Sequence, residues 1–190
     1  GEFDDEEVVA QARRRFADRD ATLLAGDVGT AVVLVVGRHA DVPAWEALLA
    51  MLGDRRYATA MAWPLSRALA RAKDMSVARH AMQAALDDRM PRNVADWIFG
   101  RIAASSGQAA EVWSFVQAHR AALLERRGPM SRGARYGSVR WDSRDTALAR
   151  EVQAASERDL PADNQDETRR AVADVERRAW AHDALRKGLG

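Results

Sequence analysis

Residues 111–128 read EVWSFVQAHRAALLERRG, and their apolar members recur every three or four positions, as in an amphipathic helix. Gly107 precedes the stretch and Pro129 follows its last glycine, and such residues favour the start and the end of a helix. A single helix of this length is not stable alone, so its apolar stripe requires neighbours. The stripe consists of Val112, Phe115, Val116, Ala122 and Leu123, with Trp113 and Leu124 at its edge.

Further segments with helical periodicity lie on both sides of this stretch. Asp41 can cap a helix that has Pro43 in its first turn and ends at Gly53, and Asp74 can open another helix. Pro64 interrupts an apolar run and predicts a break or a kink. Other helices are predicted at about 6–19, 93–105, 143–158 and 166–190, the last with Val172, Val175, Ala179, His182 and Leu185 on one inward stripe.

Residues 31–36, AVVLVV, resist this interpretation, because β-branched residues are common in buried strands. No other segment alternates with a period of two, so a strand here would have no partner. Unpaired backbone groups inside a core are costly. We therefore predict a helix at this segment and an all-α chain.

The order of these segments predicts an architecture of paired helices. Antiparallel helices of about 12 to 18 residues with short connections favour an α-α superhelix, a HEAT-like solenoid, over a four-helix bundle. The length of 190 residues suits one domain, which we expect to be a single helical-repeat domain at 4–190. Residues 1–3, Gly-Glu-Phe, do not resemble a signal peptide and are expected to be a cloning remnant. The chain would then be the C-terminal part of a larger protein.

The composition argues against several classes of partner. Lysine and arginine number 29 and aspartate and glutamate 28, so no global field would draw the protein to nucleic acid or to an anionic membrane. The longest apolar run is far shorter than the roughly 20 residues that cross a bilayer. The absence of cysteine excludes disulfides and thiolate chemistry. We expect no nucleic-acid or membrane partner and a cytoplasmic location.

No catalytic or metal-binding constellation is visible in the sequence. The histidines are widely spaced, and none lies in a zinc-binding motif. Most tryptophans have apolar companions at helical spacing and are expected to fill the space between helices, a pattern that Trp141 fits least. We therefore expect no catalytic residue, metal ligand or cofactor in this chain. The histidines are His39, His80, His119 and His182.

Arginine is concentrated around the glycine-rich loop at 128–137, which matches no phosphate-binding fingerprint. Guanidinium groups pair well with carboxylates and phosphates. Arg132, Arg135 and Arg140 are therefore candidate residues for binding a peptide carboxylate. The alternative is a solvated or salt-bridged surface. The whole cluster is Arg126, Arg127, Arg132, Arg135, Arg140 and Arg144.

The segment 94–127 resembles the C-terminal helical domain of zinc metallo-aminopeptidases of the puromycin-sensitive, alanyl and endoplasmic-reticulum type. In that family, a helix that ends in a glycine-containing turn is followed by a helix with a characteristic spacing of Trp, Phe, Val or Leu, and Leu. The arginine-rich loop departs from the family pattern. The matching residues are Trp113, Phe115, Val116 and Leu123, and further segments that fit are the helices with Trp45 and Leu69 and the ranges 146–155 and 166–189.

This resemblance implies that the zinc ligands and the glutamate base of the family belong to a catalytic domain that precedes this chain. It implies a curved helical bowl that closes over the active site and limits peptide access, with the peptide substrate and the catalytic domain as partners. The fragment alone is expected to be inert as a peptidase. One alternative is a free-standing helical-repeat module that binds a protein partner, and another is an unrecognised enzyme.

Overall fold

The computed structural model of the protein describes residues 4–18, 26–57, 60–107, 109–125 and 144–188. Within these ranges the structure contains helices and no strand, which confirms the all-α prediction, while the superhelical path stays a prediction. The helices are α1 (Glu6–Asp18), α2 (Gly26–Arg38), α3 (Val42–Gly53), α4 (Ala62–Leu69), α5 (Met75–Leu86), α6 (Arg92–Ser106), α7 (Ala109–Ala118), α8 (Arg120–Glu125), α9 (Thr146–Asp159) and α10 (Asp166–Gly188), with a 3-10 helix at Ala162–Asn164.

The chain divides into two compact units, Gly1–Val94 and Ala95–Gly190. Helices α1 to α5 belong to the first unit, and most of α6 and all later helices belong to the second. Each unit has fully buried apolar side chains, for example Leu65 in the first and Ile102 in the second. A single domain at 4–190 stays a prediction.

The valine-rich segment forms α2, so the structure confirms the predicted helix at 31–36. α2 packs against α1, α3 and α4. A helix that is covered from several directions can be apolar on nearly all sides, which explains why the sequence lacks a polar face here. Its buried residues are Gly29, Val32, Val33, Val35, Val36 and Gly37.

α2 and α4 come into direct backbone contact at Gly37. A Cβ atom at this position would lie 2.4 Å from the carbonyl oxygen of Ala68 and 2.8 Å from its Cα. Only a residue without a side chain permits such an approach. On α4, Leu65 and Leu69 flank Ala68 and are fully buried.

α3 begins as predicted, because the Asp41 carboxylate accepts a hydrogen bond from the backbone N–H three residues later at 2.8 Å. Pro43 lies in its first turn, and Gly53 is its last residue. Trp45 is fully buried, and its Nε1 donates to the carbonyl oxygen of Leu69 at 2.9 Å. This bond ties α3 to the end of α4.

The predicted break at Pro64 is wrong, because α4 begins only at Ala62. Pro64 therefore lies in the first turn, where a backbone N–H has no acceptor within the helix. The helix continues without interruption to Leu69. The next helix, α5, opens as predicted, since the Asp74 carboxylate accepts from the N–H of Ser76 at 2.7 Å.

In the second unit, the predicted helix at 111–128 is divided at His119 into α7 and α8. Gly107 precedes α7 with a φ of 69°, in the left-handed region. Nδ1 of His119 lies 2.9 Å from the carbonyl oxygen of Phe115, and the two rings stack with centroids 4.1 Å apart. The predicted end at Gly128 lies outside the described residues. Of the predicted stripe, Val112, Val116 and Leu123 are buried together with Trp113, Phe115 is half-buried, and Ala122 is exposed.

α9 and α10 pack against each other through Ala149, Val172 and Val175. The inward stripe predicted for α10 is wrong at Leu185, which is 66% exposed. The reason is length, because α9 has 14 residues and α10 has 23. The two helices are antiparallel, so at about 1.5 Å per residue the last turns of α10 extend past the start of α9.

Candidate functional site

The predicted peptide-binding residues Arg132, Arg135 and Arg140 lie outside the described residues. Of the arginine cluster, the structure describes Arg144, which is exposed just before α9. The described flanks of the arginine-rich segment are α8 on one side and α9 on the other. Their side chains form the candidate site of the second unit.

A buried carboxylate joins the two flanks. The side chain of Asp159, at the end of α9, has no exposed surface, and both of its oxygens accept hydrogen bonds from the guanidinium of Arg120 at the start of α8. The distance from Nε of Arg120 to Oδ2 is 2.6 Å. Arg158 donates to the same carboxylate from its Nε at 2.9 Å. Paired charge-assisted bonds of this kind fix both distance and orientation, so Asp159 braces α8 against α9.

A second bond connects the preceding helix to α9. Nε1 of Trp113 on α7 donates to Oε1 of Glu151 at 2.9 Å. The Trp113 side chain is buried, so its N–H needs a partner, and Glu151 supplies one. α7 and α8 are therefore both held to α9.

These described arginines are braces rather than open anion-binding groups. Arg120 and Arg158 share Asp159, and Arg150 lies 3.7 Å from a carboxylate oxygen of Glu176. Each of them is already paired with a carboxylate of the same unit. Binding of a peptide carboxylate by the arginines between α8 and α9 stays a prediction.

The first unit holds an ion cluster centred on Glu46 of α3. Its Oε1 lies 2.6 Å from Nε2 of His80 on α5, and its two oxygens accept from Nη2 of Arg89 at 2.8 and 2.7 Å. The His80 ring also packs edge-on against Trp45, with centroids 5.1 Å apart. The Arg89 guanidinium, and after it His80, holds the pKa of Glu46 below its ordinary value. The cluster links α3, α5 and the loop after α5.

The described part of the chain has no group of three or more histidine, aspartate or glutamate side chains that could hold a metal ion. Two of the histidines each have a local contact. His119 contacts Phe115, and Nδ1 of His182 lies 3.4 Å from Oδ1 of Asp183. In the same ranges, no helix has both the length and the apolar character needed to span a membrane.

The described tryptophans differ in burial, and Trp97 is half-buried. Trp45 and Trp113 fill space between helices as predicted. The prediction is wrong for Trp63 and Trp180, which are 59% and 74% exposed. Trp63 lies in the first turn of α4, and Trp180 lies on the part of α10 that extends past α9. Trp141 lies outside the described residues.

Sequence reasoning missed Asp159 and Glu46, the two carboxylates around which the ion clusters form. Asp159 and Arg120 are 39 residues apart, and Glu46 and Arg89 are 43 apart. Helical periodicity carries no signal over such separations. Only correlated substitutions at the paired positions could reveal them in sequence data.

Comparison with known proteins identifies the family of the chain. A search of curated proteins gives no match. A family model described as "ERAP1-like C-terminal domain" matches residues 1–177, which is 177 of the 190 residues and includes both flanks of the arginine-rich segment. This is the helical aminopeptidase domain that the sequence around Trp113 resembles. The chain therefore belongs to the ERAP1-like C-terminal domain family.

Proposed function

We propose that this chain is the non-catalytic C-terminal helical domain of a zinc aminopeptidase of the puromycin-sensitive or alanyl type, and that it caps the active site and shapes peptide access. The observation that carries this proposal is the family match over residues 1–177. The catalytic domain of the parent protein would supply the zinc and the glutamate base. Its partners are that domain and the peptide substrate, and we propose a cytoplasmic location.

A domain that limits access to an active site must resist deformation when peptides press against it. The bonds described above have this effect within each unit, because they join helices that are distant in sequence. Asp159 braces α8 against α9, and Glu46 links α3 with α5. Buried tryptophan N–H groups add a cross-link in each unit, at Trp45 and at Trp113.

Within this function, Arg132, Arg135 and Arg140 would bind a carboxylate of the peptide. The segment that carries them leaves α8 and returns at α9, the two helices that Asp159 joins. The bond joins the start of α8 to the end of α9, whereas the segment connects the end of α8 to the start of α9.

The open reading frame that encodes the chain provides the first test. We expect an upstream H-E-x-x-H motif and a second glutamate further downstream, both before residue 1. Their absence would overturn the proposal. If the gene also began near Asp4, and the chain captured a stable protein partner, the free-standing interaction module would be the better interpretation.

The second test uses the full-length parent enzyme. Replacing Arg132, Arg135 and Arg140 together by alanine should leave hydrolysis of a small amino-acid amide unchanged and raise KM for long peptides about tenfold, because a charge-assisted hydrogen bond contributes roughly 1.5–3 kcal/mol. The matched control is Arg144→Ala, at an exposed arginine outside the predicted site. An unchanged KM for long peptides in the triple variant would contradict the assigned role. Chelator-sensitive hydrolysis of the amide by the isolated chain would contradict a non-catalytic domain.

A further inference from the structure

One carboxylate ties the segment before α1 to two distant parts of the first unit. Oδ1 of Asp4 accepts hydrogen bonds from Nε of Arg38 at 3.1 Å and from Nζ of Lys73 at 2.9 Å, and Oδ2 accepts from Nη2 of Arg38 at 3.2 Å. Nε2 of His39 lies 3.4 Å from Oδ1. Arg38 ends α2, and Lys73 lies in the loop between α4 and α5. These partners are 34 and 69 residues away from Asp4.

The cationic groups gather at the end of α2 for physical reasons. The C-terminal end of a helix carries partial negative charge and favours cations. The backbone N–H of Lys73 donates to the carbonyl oxygen of Arg38 at 3.0 Å, so the two cationic residues are held side by side. Hydrogen bonds from Arg38, and then from Lys73, hold the pKa of Asp4 well below its usual range. Asp4 is thus the counter-ion that this group of cations requires.

Helix α1 itself packs against α2. Of its 13 residues, Ala12 and Phe16 are buried, and Nη2 of Arg13 donates to the carbonyl oxygen of His39 at 2.9 Å. α2 is also covered by α3 and α4, so its contacts with them do not depend on α1. Removal of α1 would therefore uncover valine side chains of α2 and leave the rest of the first unit in place.

The neighbouring aspartate has a different role. Asp5 caps α1, since its Oδ1 accepts from the N–H groups of Glu7 and Val8 at 2.9 and 3.2 Å. Asp5 acts within the helix, whereas Asp4 acts between distant segments. Asp5 thus stabilises the helix α1 itself, and Asp4 attaches the start of α1 to Arg38 and Lys73.

We propose that α1 is a strap that covers α2, and that Asp4 is the latch that holds the strap closed on Arg38 and Lys73. When the latch opens, α1 lifts away and the valine surface of α2 meets solvent. The latch lies at the protein surface, so added salt weakens it and shifts the strap toward the open form. This proposal concerns the first unit alone and is independent of the proposed function.

The full chain lends itself to a distance measurement, because it has no cysteine. Arg14→Cys on α1 and Ala50→Cys on α3 introduce two label sites at exposed positions of the first unit. Double electron–electron resonance between spin labels at these sites should give a main narrow peak for the closed form and a minor population at longer distances at low salt. Asp4→Asn should increase the open population, seen as longer distances, about two- to fivefold, the range of measured surface ion pairs. The adjacent Asp5→Asn is the matched control and should change nothing, since asparagine also caps helices.

Two further measurements keep the test decisive. Lys73→Gln removes one donor and should also populate the open form, and salt raised from about 0.05 M to about 0.5 M should do so without any substitution. Binding of a hydrophobic dye should rise in parallel with the open population. An unchanged distance distribution in Asp4→Asn, or a loss of helix signal across the whole chain in that variant, would overturn the proposal.

Discussion

The backbone contact at Gly37 makes Gly37→Ala the sharpest test of the packing in the first unit. The added methyl group would lie 2.4 Å from the carbonyl oxygen of Ala68, whereas ordinary contacts begin near 3.4 Å. The two helices would have to separate by the difference, about 1 Å. The opposing atoms belong to the backbone of α4, so no side-chain rotation can relieve the contact.

The expected loss of stability is the difference between the cost of overpacking and the gain in helix propensity. Overpacking of a core costs typically about 1–3 kcal/mol, and a rigid backbone neighbour places this case at the upper end. Alanine has a higher helix propensity than glycine, which offsets roughly 0.5–1 kcal/mol of this cost. We therefore expect the free energy of unfolding to fall by about 2 kcal/mol.

Urea denaturation of the full chain, followed by circular dichroism at the helix band, measures this change. Gly53→Ala is the matched control, because no heavy atom lies within 4 Å of the added methyl group and the residue is also helical. That variant should be unchanged or slightly more stable. A Gly37→Ala variant as stable as the original chain would show that α2 and α4 are not in backbone contact.

The other predictions concern the ion clusters and the buried tryptophans. Asp159→Asn should lower the free energy of unfolding by about 2 kcal/mol in urea denaturation, because it removes the negative charge from a buried group that accepts several hydrogen bonds. Asp163→Asn, at an exposed site, should change the same quantity by less than about 0.5 kcal/mol. The pKa of Glu46 is lower in the folded chain than in the unfolded chain, so Glu46 contributes stability above its unfolded pKa, and this stability is lost as the pH falls through its folded pKa. The melting-temperature difference between the original chain and Glu46→Gln should therefore shrink below the ordinary glutamate pKa of about 4.3, and a constant difference would contradict this reasoning. Trp113→Phe keeps a buried ring but removes the hydrogen bond to α9, and its thermal melt should show a loss of about 1–2 kcal/mol, whereas Trp63→Phe should be close to neutral.

Local signals in the sequence were enough to locate several helix starts. Asp41 and Asp74 each cap a helix through a backbone N–H two or three residues away, so the signal and the structure that it specifies lie in the same short segment. The valine-rich α2 was predictable by a different route, since a strand needs a partner and the chain offers none. That argument used the whole sequence to decide one segment.

Features that depend on distant contacts were not predictable in this way. Pro64 has the same chemistry whether it breaks a helix or lies in its first turn, and only the start of α4 distinguishes the two cases. The division of the predicted long helix at His119 is accompanied by the bond from Arg120 to Asp159, 39 residues away. Leu185 keeps its helical register, but its burial depends on the length of α9.

For the candidate site, the sequence predicted which type of residue is enriched but not which residues contact each other. The sequence marks a cluster of arginines, but the roles of its members depend on which carboxylates or ligands they meet in space. For Arg120 and Arg158, which lie outside the marked cluster, the partner is Asp159 of the same unit. Periodicity could not identify that pairing, because it reports faces of one helix rather than contacts between helices.

The valine-rich helix α2 also has a consequence for biosynthesis. It ends at Arg38, whereas α4, which contacts its Gly37, begins at Ala62, so the ribosome releases the valines before α3 and α4 can cover them. An uncharged run of β-branched residues without proline is prone to intermolecular sheet formation while it waits. Asp27 and Arg38 place a charge near each end of the run, as gatekeeper residues do in other aggregation-prone segments. During this interval of synthesis, these two charges are what opposes self-association of the valine run.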